Sequence, residues 1–150
     1  MKIRDAKSSD ARAISELIAY YAEEDRMLFR PVSEVYENLQ GFIVAADGAE
    51  VVGCVMLSVI WSDLAEIKSL AVAGGYKGKG IGKRLVEAAV EKARELELKR
   101  VFALTLEAEF FKKAGFGVIG MDELPMKVWS DCAQCPKQDH CDEIAVLMKL

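Results

Sequence analysis

The spacing of apolar residues changes along the chain, and it predicts helices and strands in turn. Over residues 14–21 the apolar positions stand three or four apart, which predicts an amphipathic helix with one buried face. The Ser-Ser-Asp sequence at 8–10 is typical of a helix start. The segments 42–46 and 50–57 are rich in strand-forming residues, and Asp47-Gly48 between them predicts a hairpin turn.

The rest of the chain alternates predicted strands with predicted helices. Strict alternation predicts a strand that carries Glu66, Lys68, Leu70 and Val72 on one face. A glycine-rich turn follows, and the apolar spacing after it predicts a long helix over 81–96. The remaining predicted elements are an opening strand at 3–4, a short helix over 31–39, a strand over 101–106, a short helix over 108–114 and a closing strand over 144–150. This order predicts an α/β fold with a sheet of mixed direction.

Length and composition favour one globular domain. With 150 residues, 52% of them apolar and 29% charged, the chain suits a single domain over 1–150 and excludes a disordered one. Its net charge of -4 argues against binding to nucleic acid or to an anionic membrane. The start of the chain lacks the apolar core of a secretion signal, and no apolar stretch is long enough to span a membrane. We therefore expect a cytoplasmic protein.

Residues 74–82 form a glycine-rich turn between a predicted strand and the long helix. Closely spaced glycines let backbone N–H groups converge on an anion at the helix N-terminus. Lys77, Lys79, Lys83 and Arg84 add local positive charge to an acidic protein. The spacing fits neither a Walker A loop nor the dinucleotide-binding G-x-G-x-x-G pattern. The segment predicts a phosphate-binding loop of another kind or, alternatively, a flexible turn with a solvated basic rim.

The sequence around this turn resembles the GNAT family of N-acetyltransferases. The core pattern of that family is Gln or Arg, two residues, Gly, one residue, then Gly or Ala, and residues 77–82 match it with Lys77 in the first place. The strand over 65–72 and the later segment 110–116 extend the resemblance over nearly the whole chain. The resemblance implies a mixed central sheet with a splayed strand pair, flanked by helices. It also implies an enzyme that transfers the acetyl group of acetyl-CoA to a small-molecule amine.

The same resemblance implies where the cofactor binds. In this family the strand before the loop holds the pantetheine arm with its backbone, and the N–H groups of the loop hold the pyrophosphate. Carried over to this sequence, the strand contributes Leu70, Ala71 and Val72, and the loop contributes Lys77, Gly78, Lys79, Gly80, Ile81, Gly82 and Lys83.

Catalysis in this family needs a neutral amine and a proton for the departing thiolate. Glu66 is the candidate general base, acting through a water, because acceptor-binding strands of the family often place a Glu there. The alternative is an ordinary carboxylate at a strand end, paired with Lys68. The family commonly uses a Tyr as the acid, but the matching position is Phe111. The acid is then solvent or another residue, with Tyr36 and Tyr76 as candidates that no pattern supports.

A narrower resemblance concerns the acceptor. The segments 27–31, 53–57, 65–72 and 101–105 resemble stand-alone amino-acid acetyltransferases of the N-acetylglutamate synthase type. This resemblance implies acetylation of an α-amino group, first of all that of L-glutamate, which begins arginine synthesis. The family often dimerises, so a homodimer is expected as one option.

Arg30 and Lys68 are the candidate residues for binding the acceptor. Arg30 stands where the narrower group carries an Arg to which a substrate carboxylate is assigned, and a planar guanidinium suits such a partner. A solvated Arg near a helix start is the alternative interpretation. Two other functions stay open, namely acetylation of a polyamine or aminoglycoside and a non-catalytic module that binds acyl-CoA.

Three cysteines and the only His of the chain lie close together near the C-terminus, at Cys132, Cys135, His140 and Cys141. Such groups are typical zinc ligands, but a second C-x-x-C is missing and adjacent His-Cys ligands are geometrically awkward. We therefore favour reduced cysteines that brace a loop at about 129–142 over bound zinc or a reactive dithiol.

Overall fold

The computed structural model of the protein describes residues 1–23, 30–124 and 143–150. In these residues the chain forms seven strands and four α-helices, with short 3₁₀ turns between some of them. The strands are β1 (Lys2–Asp5), β2 (Phe42–Asp47), β3 (Glu50–Trp61), β4 (Leu64–Val72), β5 (Arg100–Thr105), β6 (Gly117–Ile119) and β7 (Ile144–Lys149). The helices are α1 (Ala11–Glu23), α2 (Val32–Glu37), α3 (Ile81–Glu95) and α4 (Ala108–Lys113). None of these described helices is long and apolar enough to cross a membrane.

The seven strands belong to one mixed sheet, in the order β1-β2-β3-β4-β5-β7-β6. Neighbours from β1 to β4 are antiparallel, β4 and β5 are parallel, and β7 is antiparallel to both of its neighbours. Helix α3 lies in the connection from β4 to β5, because parallel neighbours need a long crossover connection. The predicted α/β fold with a mixed sheet is therefore confirmed. Strand β6 was not predicted from the sequence, because three residues are too few to show an alternation.

Helices cover both faces of the sheet. On one face α3 buries Leu85 and Ala89 in the larger core, which also takes side chains from α4. On the other face α1 and α2 bury Ile14, Ile18 and Val35 in a second core. The helical spacing of apolar residues predicted these buried faces of α1 and α3.

Asp10 holds the start of α1 against β1. Its carboxylate accepts hydrogen bonds from Nη1 and Nη2 of Arg4, at 2.7 and 3.1 Å, and from the backbone N–H of Lys7 at 2.7 Å. These donors, first of all the Arg4 guanidinium, lower the pKa of Asp10, although its burial acts in the opposite direction. The helix-start role predicted for residues 8–10 is thus carried by a charged, hydrogen-bonded side chain.

A β-bulge interrupts β4. Cys54 and Met56, two residues apart on β3, face Ala71 and Lys68, which are three residues apart on β4. The extra residue is accommodated at Ser69, whose φ of 56° lies in the left-handed region. The Cys54 thiol donates a hydrogen bond to the Ser69 carbonyl at 3.4 Å. Burial raises the pKa of Cys54 to about 12, so the thiol stays a neutral donor beside the bulge.

The bulge shows that the prediction of one common face for Glu66, Lys68, Leu70 and Val72 was wrong. Leu70 and Val72 pack against the core under α3, whereas Lys68 stands opposite Met56 on the face that α1 covers. One extra residue moves every later side chain to the other face of the sheet, and a pattern of alternation does not foresee it. Strand β4 therefore presents charged side chains to one face before the bulge and apolar side chains to the other face after it.

Candidate active site

Strands β4 and β5 separate partway along their length. Among the described residues, their pairing is confined to Leu64, Ala65 and Glu66 of β4. Beyond Glu66, β4 continues to Val72 beside β3, while β5 continues to Thr105 beside β7. The two strands thus leave an opening in the sheet with its apex at Glu66. An open strand edge presents backbone donors and acceptors, which suits an extended ligand.

The end of β4 directs its backbone toward this opening. The N–H of Ala73 donates to the carbonyl of Val52 on β3 at 2.8 Å. Because alternate residues of an antiparallel strand direct their polar groups to opposite edges, the backbone of Val72 points away from β3. The Val72 carbonyl accepts a hydrogen bond from the hydroxyl of Tyr21 on α1. Tyr21 was predicted only as part of the buried stripe of a helix, and its spacing does not signal this contact.

The loop after β4 enters α3 through two glycines with left-handed backbone. Gly78 and Gly80 have φ angles of 78° and 79°, and Gly80 is the residue that precedes α3. A Cβ on either glycine would meet no atom within 4 Å, so the space beside the loop is open. The first turn of α3 carries Lys83 and no acidic residue. Since the first N–H groups of a helix have no partner within the helix, this end has the donors to hold an anion, and residues 77–83 are called the cradle below.

Two lysines of the loop lie against tyrosine rings. Lys77 Nζ is 4.7 Å from the centre of the Tyr21 ring, and Lys79 Nζ is 5.4 Å from the centre of the Tyr76 ring. The Tyr76 hydroxyl donates a hydrogen bond to Asp47 at 2.9 Å, which links the loop to the β2–β3 hairpin. Both lysines are exposed and belong to the loop, so they add positive charge beside the cradle.

Gly82, in the first turn of α3, allows a close approach to α4 and β4. A Cβ on Gly82 would lie 3.4 Å from Cζ of Phe110 and 3.9 Å from Cγ2 of Val72. The Phe110 ring therefore borders the predicted cofactor site, a position that only its place in the 110–116 motif signalled. Ile81 and Ala71 are core residues, 4% and 2% exposed, so the site can use their backbone but not their side chains.

The apex of the opening holds the candidate base. The Glu66 side chain is 9% exposed, and its Oε1 lies 3.9 Å from Nζ of Lys68. Both side chains lie on the sheet face that α1 and α2 cover. The geometry thus contains a buried carboxylate at the apex and also the ion pair that the alternative interpretation names. The catalytic role of Glu66 stays a prediction.

Arg30 lies directly before α2, in the helical layer over the same sheet face as Glu66 and Lys68. Its side chain is 12% exposed, and Nη1 lies 3.7 Å from Oε2 of Glu34. The hydroxyl of Ser15 on α1 donates a hydrogen bond to the Arg30 carbonyl at 3.1 Å. The structure therefore contradicts the alternative of a solvated arginine, and carboxylate binding by Arg30 stays a prediction.

Phe111, which stands where the family commonly has a Tyr, packs as an apolar core residue. Phe111 is 4% exposed, and its ring makes edge-to-face contacts with Phe110 and Phe116 at 5.2 Å between centroids. Of the other acid candidates, Tyr36 is 50% exposed on α2. The hydrogen bond from Tyr76 to a carboxylate of the hairpin raises the pKa of Tyr76, which makes it a weaker acid. Neither observation identifies the proton donor, so the choice between solvent and another residue stays a prediction.

The cysteine cluster of Cys132, Cys135, His140 and Cys141 lies outside the described residues. Its zinc and thiol interpretations therefore stay predictions. Within residues 1–23, 30–124 and 143–150, no group of three or more His, Cys, Asp or Glu side chains is arranged to hold a metal ion.

The strand opening, the loop and the carboxylate at the apex together are typical of one class of active site. A strand opening can take an extended arm, a glycine-rich cradle beside it can take a pyrophosphate, and a carboxylate stands at the apex. The arrangement is that of an acyltransferase that uses acetyl-CoA. Residues 8–116 match the model of the acetyltransferase (GNAT) family, and the chain belongs to this family.

The most informative relatives agree with this assignment. The chain is 42% identical over 148 residues to an uncharacterised N-acetyltransferase of Chlorobaculum tepidum, covering 99% of this chain and 96% of that protein. It is 43% identical over 117 residues to the amino-acid acetyltransferase of Mycobacterium tuberculosis, covering 76% of this chain and 67% of that protein.

Two solved structures show the same fold. A Mycobacterium tuberculosis protein in complex with CoA superposes with a TM-score of 0.87 at 33% identity, covering 100% of this chain and 99% of that one. The N-acetylglutamate synthase of Neisseria gonorrhoeae, in complex with CoA and N-acetyl-glutamate, superposes with a TM-score of 0.88 at 28% identity. That match covers 99% of this chain and 35% of the synthase. The family resemblance, the fold, the acyltransferase activity and the use of acetyl-CoA are thereby confirmed.

Proposed function

We propose that this enzyme acetylates the α-amino group of an amino acid, with L-glutamate as the first candidate. The observation that carries the proposal is Arg30, whose largely buried side chain stands just before α2, the helix that packs on the same sheet face as the candidate base Glu66. A planar guanidinium suits bidentate binding of a carboxylate. The similarity to a protein named amino-acid acetyltransferase supports the same acceptor class. With L-glutamate as acceptor, the reaction would be the first step of arginine synthesis, carried out in the cytoplasm.

The backbone of β4 and of the following loop holds acetyl-CoA in this proposal. The open edge at Leu70 and Val72 pairs with the pantetheine arm, and the N–H groups from Gly78 to Lys83 bind the pyrophosphate at the start of α3. When bound, acetyl-CoA supplies a thioester whose carbonyl carbon the amine attacks. The open space around Gly78 and Gly80 fits such a group, since a side chain at either position would stand in it.

Glu66 acts as the general base for the acceptor amine. Through a water it removes a proton from the ammonium group, so that a neutral amine attacks the thioester carbonyl carbon at the apex of the opening. As the C–N bond forms, the C–S bond breaks and CoA leaves as a thiolate, which takes a proton from solvent or from another residue. Lys68, 3.9 Å from Glu66, places a second cation near the acceptor. Arg30 and Lys68 together would suit an acceptor with two carboxylates, and this is why L-glutamate comes first.

The acceptor class is tested with a panel of amines. Release of CoA is measured with L-glutamate, other L-amino acids, their α-amides and polyamines. We expect amino acids with free carboxylates to be the substrates and α-amides to be poor ones, because an amide removes the charge that Arg30 binds. A wild-type preference for polyamines would contradict the proposal and favour a cationic acceptor.

The role of Arg30 is tested with three variants. Arg30→Ala should raise the KM of the amino acid by about 10- to 150-fold, which corresponds to the loss of one charge-assisted hydrogen bond. The KM of acetyl-CoA should not change. Arg30→Lys keeps the charge without the planar fork, so it should restore binding only in part. Glu34→Gln removes the observed ion-pair partner but keeps Arg30, and it should not raise the KM of the amino acid.

The third variant separates two explanations. If Arg30 acts only by holding α2 through Glu34, then Glu34→Gln and Arg30→Ala should have the same effect. An unchanged KM of the amino acid in Arg30→Ala would exclude carboxylate binding by Arg30.

A further inference from the structure

Tyr21, on the sheet face that α1 covers, contacts two parts of the predicted acetyl-CoA site. It is 6% exposed and belongs to the core under α1. Its hydroxyl donates a hydrogen bond to the Val72 carbonyl, and the centre of its ring lies 4.7 Å from Nζ of Lys77. The ring is held in turn by an edge-to-face contact with Tyr20, at 5.2 Å between centroids. One buried side chain thus joins α1 to the end of β4 and to the start of the loop.

The hydrogen bond acts on the backbone edge where the cofactor arm is expected. Because the N–H of Ala73 pairs with Val52 of β3, the polar groups of Val72 point to the other edge, toward the opening. Beyond Glu66, that edge has no β5 neighbour in the described strand pairing. The end of β4 is therefore paired with β3 on one edge only, and the Tyr21 hydroxyl links its other edge to α1.

The ring of Tyr21 acts on the loop. Lys77 occupies the first position of the loop pattern, and its side chain is exposed apart from this contact with an aromatic face. A cation over an aromatic ring loses part of its rotamer freedom before any ligand arrives. The ammonium group of Lys77 is therefore held beside the cradle.

We propose that Tyr21 is a positioning residue for acetyl-CoA, which sets the end of β4 through its hydroxyl and the Lys77 ammonium through its ring. The proposal rests on the placement of acetyl-CoA along β4 and the loop described under the proposed function. Such prior ordering lowers the entropy cost of binding without a direct contact to the reacting atoms.

Tyr21→Phe removes the hydroxyl and keeps the ring. We expect the Kd of CoA, measured by calorimetry, and the KM of acetyl-CoA to rise by about 2- to 10-fold, as for the loss of one hydrogen bond. The KM of the acceptor and kcat at saturating acetyl-CoA should not change. A merely structural defect would affect both substrates, so this separation of the two KM values identifies positioning. Tyr20→Phe, one residue away on a side chain that is 55% exposed, is the matched control and should leave both values unchanged.

The ring contact is tested by a double-mutant cycle of Tyr21→Leu and Lys77→Met. If the ring positions Lys77, the two losses of CoA affinity should be less than additive on the free-energy scale. Lys77→Met retains the hydroxyl bond and does not disturb the core, so its own effect on CoA affinity is a second test if Tyr21→Leu folds poorly, and an unchanged affinity in Lys77→Met would also exclude the contribution of the ring. Full additivity would exclude the contribution of the ring.

Other outcomes overturn the proposal in distinct ways. Unchanged CoA affinity in Tyr21→Phe, together with a loss in Gly80→Asp, would exclude positioning and keep the cofactor placement. Unchanged affinity in both variants would exclude the placement itself. Tighter binding by Tyr21→Phe would show that the hydroxyl competes with the cofactor for the Val72 carbonyl.

Discussion

Replacement of Gly80 by Asp should separate the binding role of the loop from its role as a turn. Gly80 has a φ of 79° and open space around the position of a Cβ, so Asp fits there but must adopt left-handed backbone. That conformation costs an L residue roughly 1–2 kcal/mol. Gly48, in the β2–β3 turn, has a φ of 62° and equally open surroundings. Gly48→Asp should therefore lower the free energy of unfolding by a similar amount.

The two variants should differ in their affinity for CoA. A carboxylate at position 80 stands directly before α3, beside the N–H groups expected to bind the pyrophosphate. Two like charges about 5 Å apart repel by roughly 3 kcal/mol at an effective dielectric constant of about 20. The Kd of CoA should thus rise by about 100-fold or more. Gly80→Asn has the same shape without the charge, so it should weaken binding much less.

Calorimetric titration with CoA at low and high salt measures this difference, and thermal unfolding of each variant checks the fold. Salt should reduce the loss of CoA affinity in Gly80→Asp relative to the wild type, because mobile ions screen the repulsion. The affinities of Gly80→Asn and Gly48→Asp relative to the wild type should not depend on salt. A folded Gly80→Asp protein whose Kd stays within about threefold of the wild type would show that the loop is only a turn. An equal loss in Gly48→Asp would assign the effect to backbone strain.

Two further predictions concern buried carboxylates. Glu66→Gln should lower kcat at neutral pH by about 10²–10⁴-fold with little change in CoA affinity, and pH–rate profiles should show partial recovery at high pH, where neutral amine is abundant. An unchanged profile would assign Glu66 a structural role. Asp10→Asn should lower the free energy of unfolding near neutral pH by about 1.5–3 kcal/mol, because it removes the charge-assisted hydrogen bonds from Arg4. Since folding lowers the pKa of Asp10, this stability is present above the ordinary value of 3.8 and is lost as pH falls below it. Urea unfolding should show the wild type and Asp10→Asn converging in acid, and a constant difference would contradict the linkage.

Periodic parts of the fold could be predicted from the sequence. The buried stripe of α1, the length of α3 and the turn at Asp47-Gly48 each follow from local spacing or turn chemistry. The loop at Gly78 and Gly80 was also predictable, because positive φ angles at the start of a helix call for glycine. In each case the deciding physics acts within a few residues.

The parts that escaped prediction depend on contacts distant in sequence. The bulge at Ser69 depends on pairing with β3, and its supporting thiol, Cys54, lies 15 residues earlier. The hydroxyl contact of Tyr21 reaches a residue 51 positions away. As a buried aromatic residue at helical spacing, Tyr21 is indistinguishable in the sequence from an ordinary core residue. Sequence spacing gave its burial but not its partner.

The two substrates are expected to bind different kinds of atoms, and this would explain why membership of the family identifies acetyl-CoA but not the acceptor amine. Acetyl-CoA is expected on backbone groups of β4 and of the loop, which any sequence with this fold presents, so Lys77 can replace the usual Arg or Gln. The amine is expected on the side chains of Arg30 and Lys68, which the fold does not dictate. Variants of the two groups should then act independently. Arg30→Ala combined with Tyr21→Phe should raise the KM of the acceptor and the KM of acetyl-CoA each by its single-variant factor, whereas coupled effects would show that α1, which contacts both Arg30 and Val72, joins the two subsites.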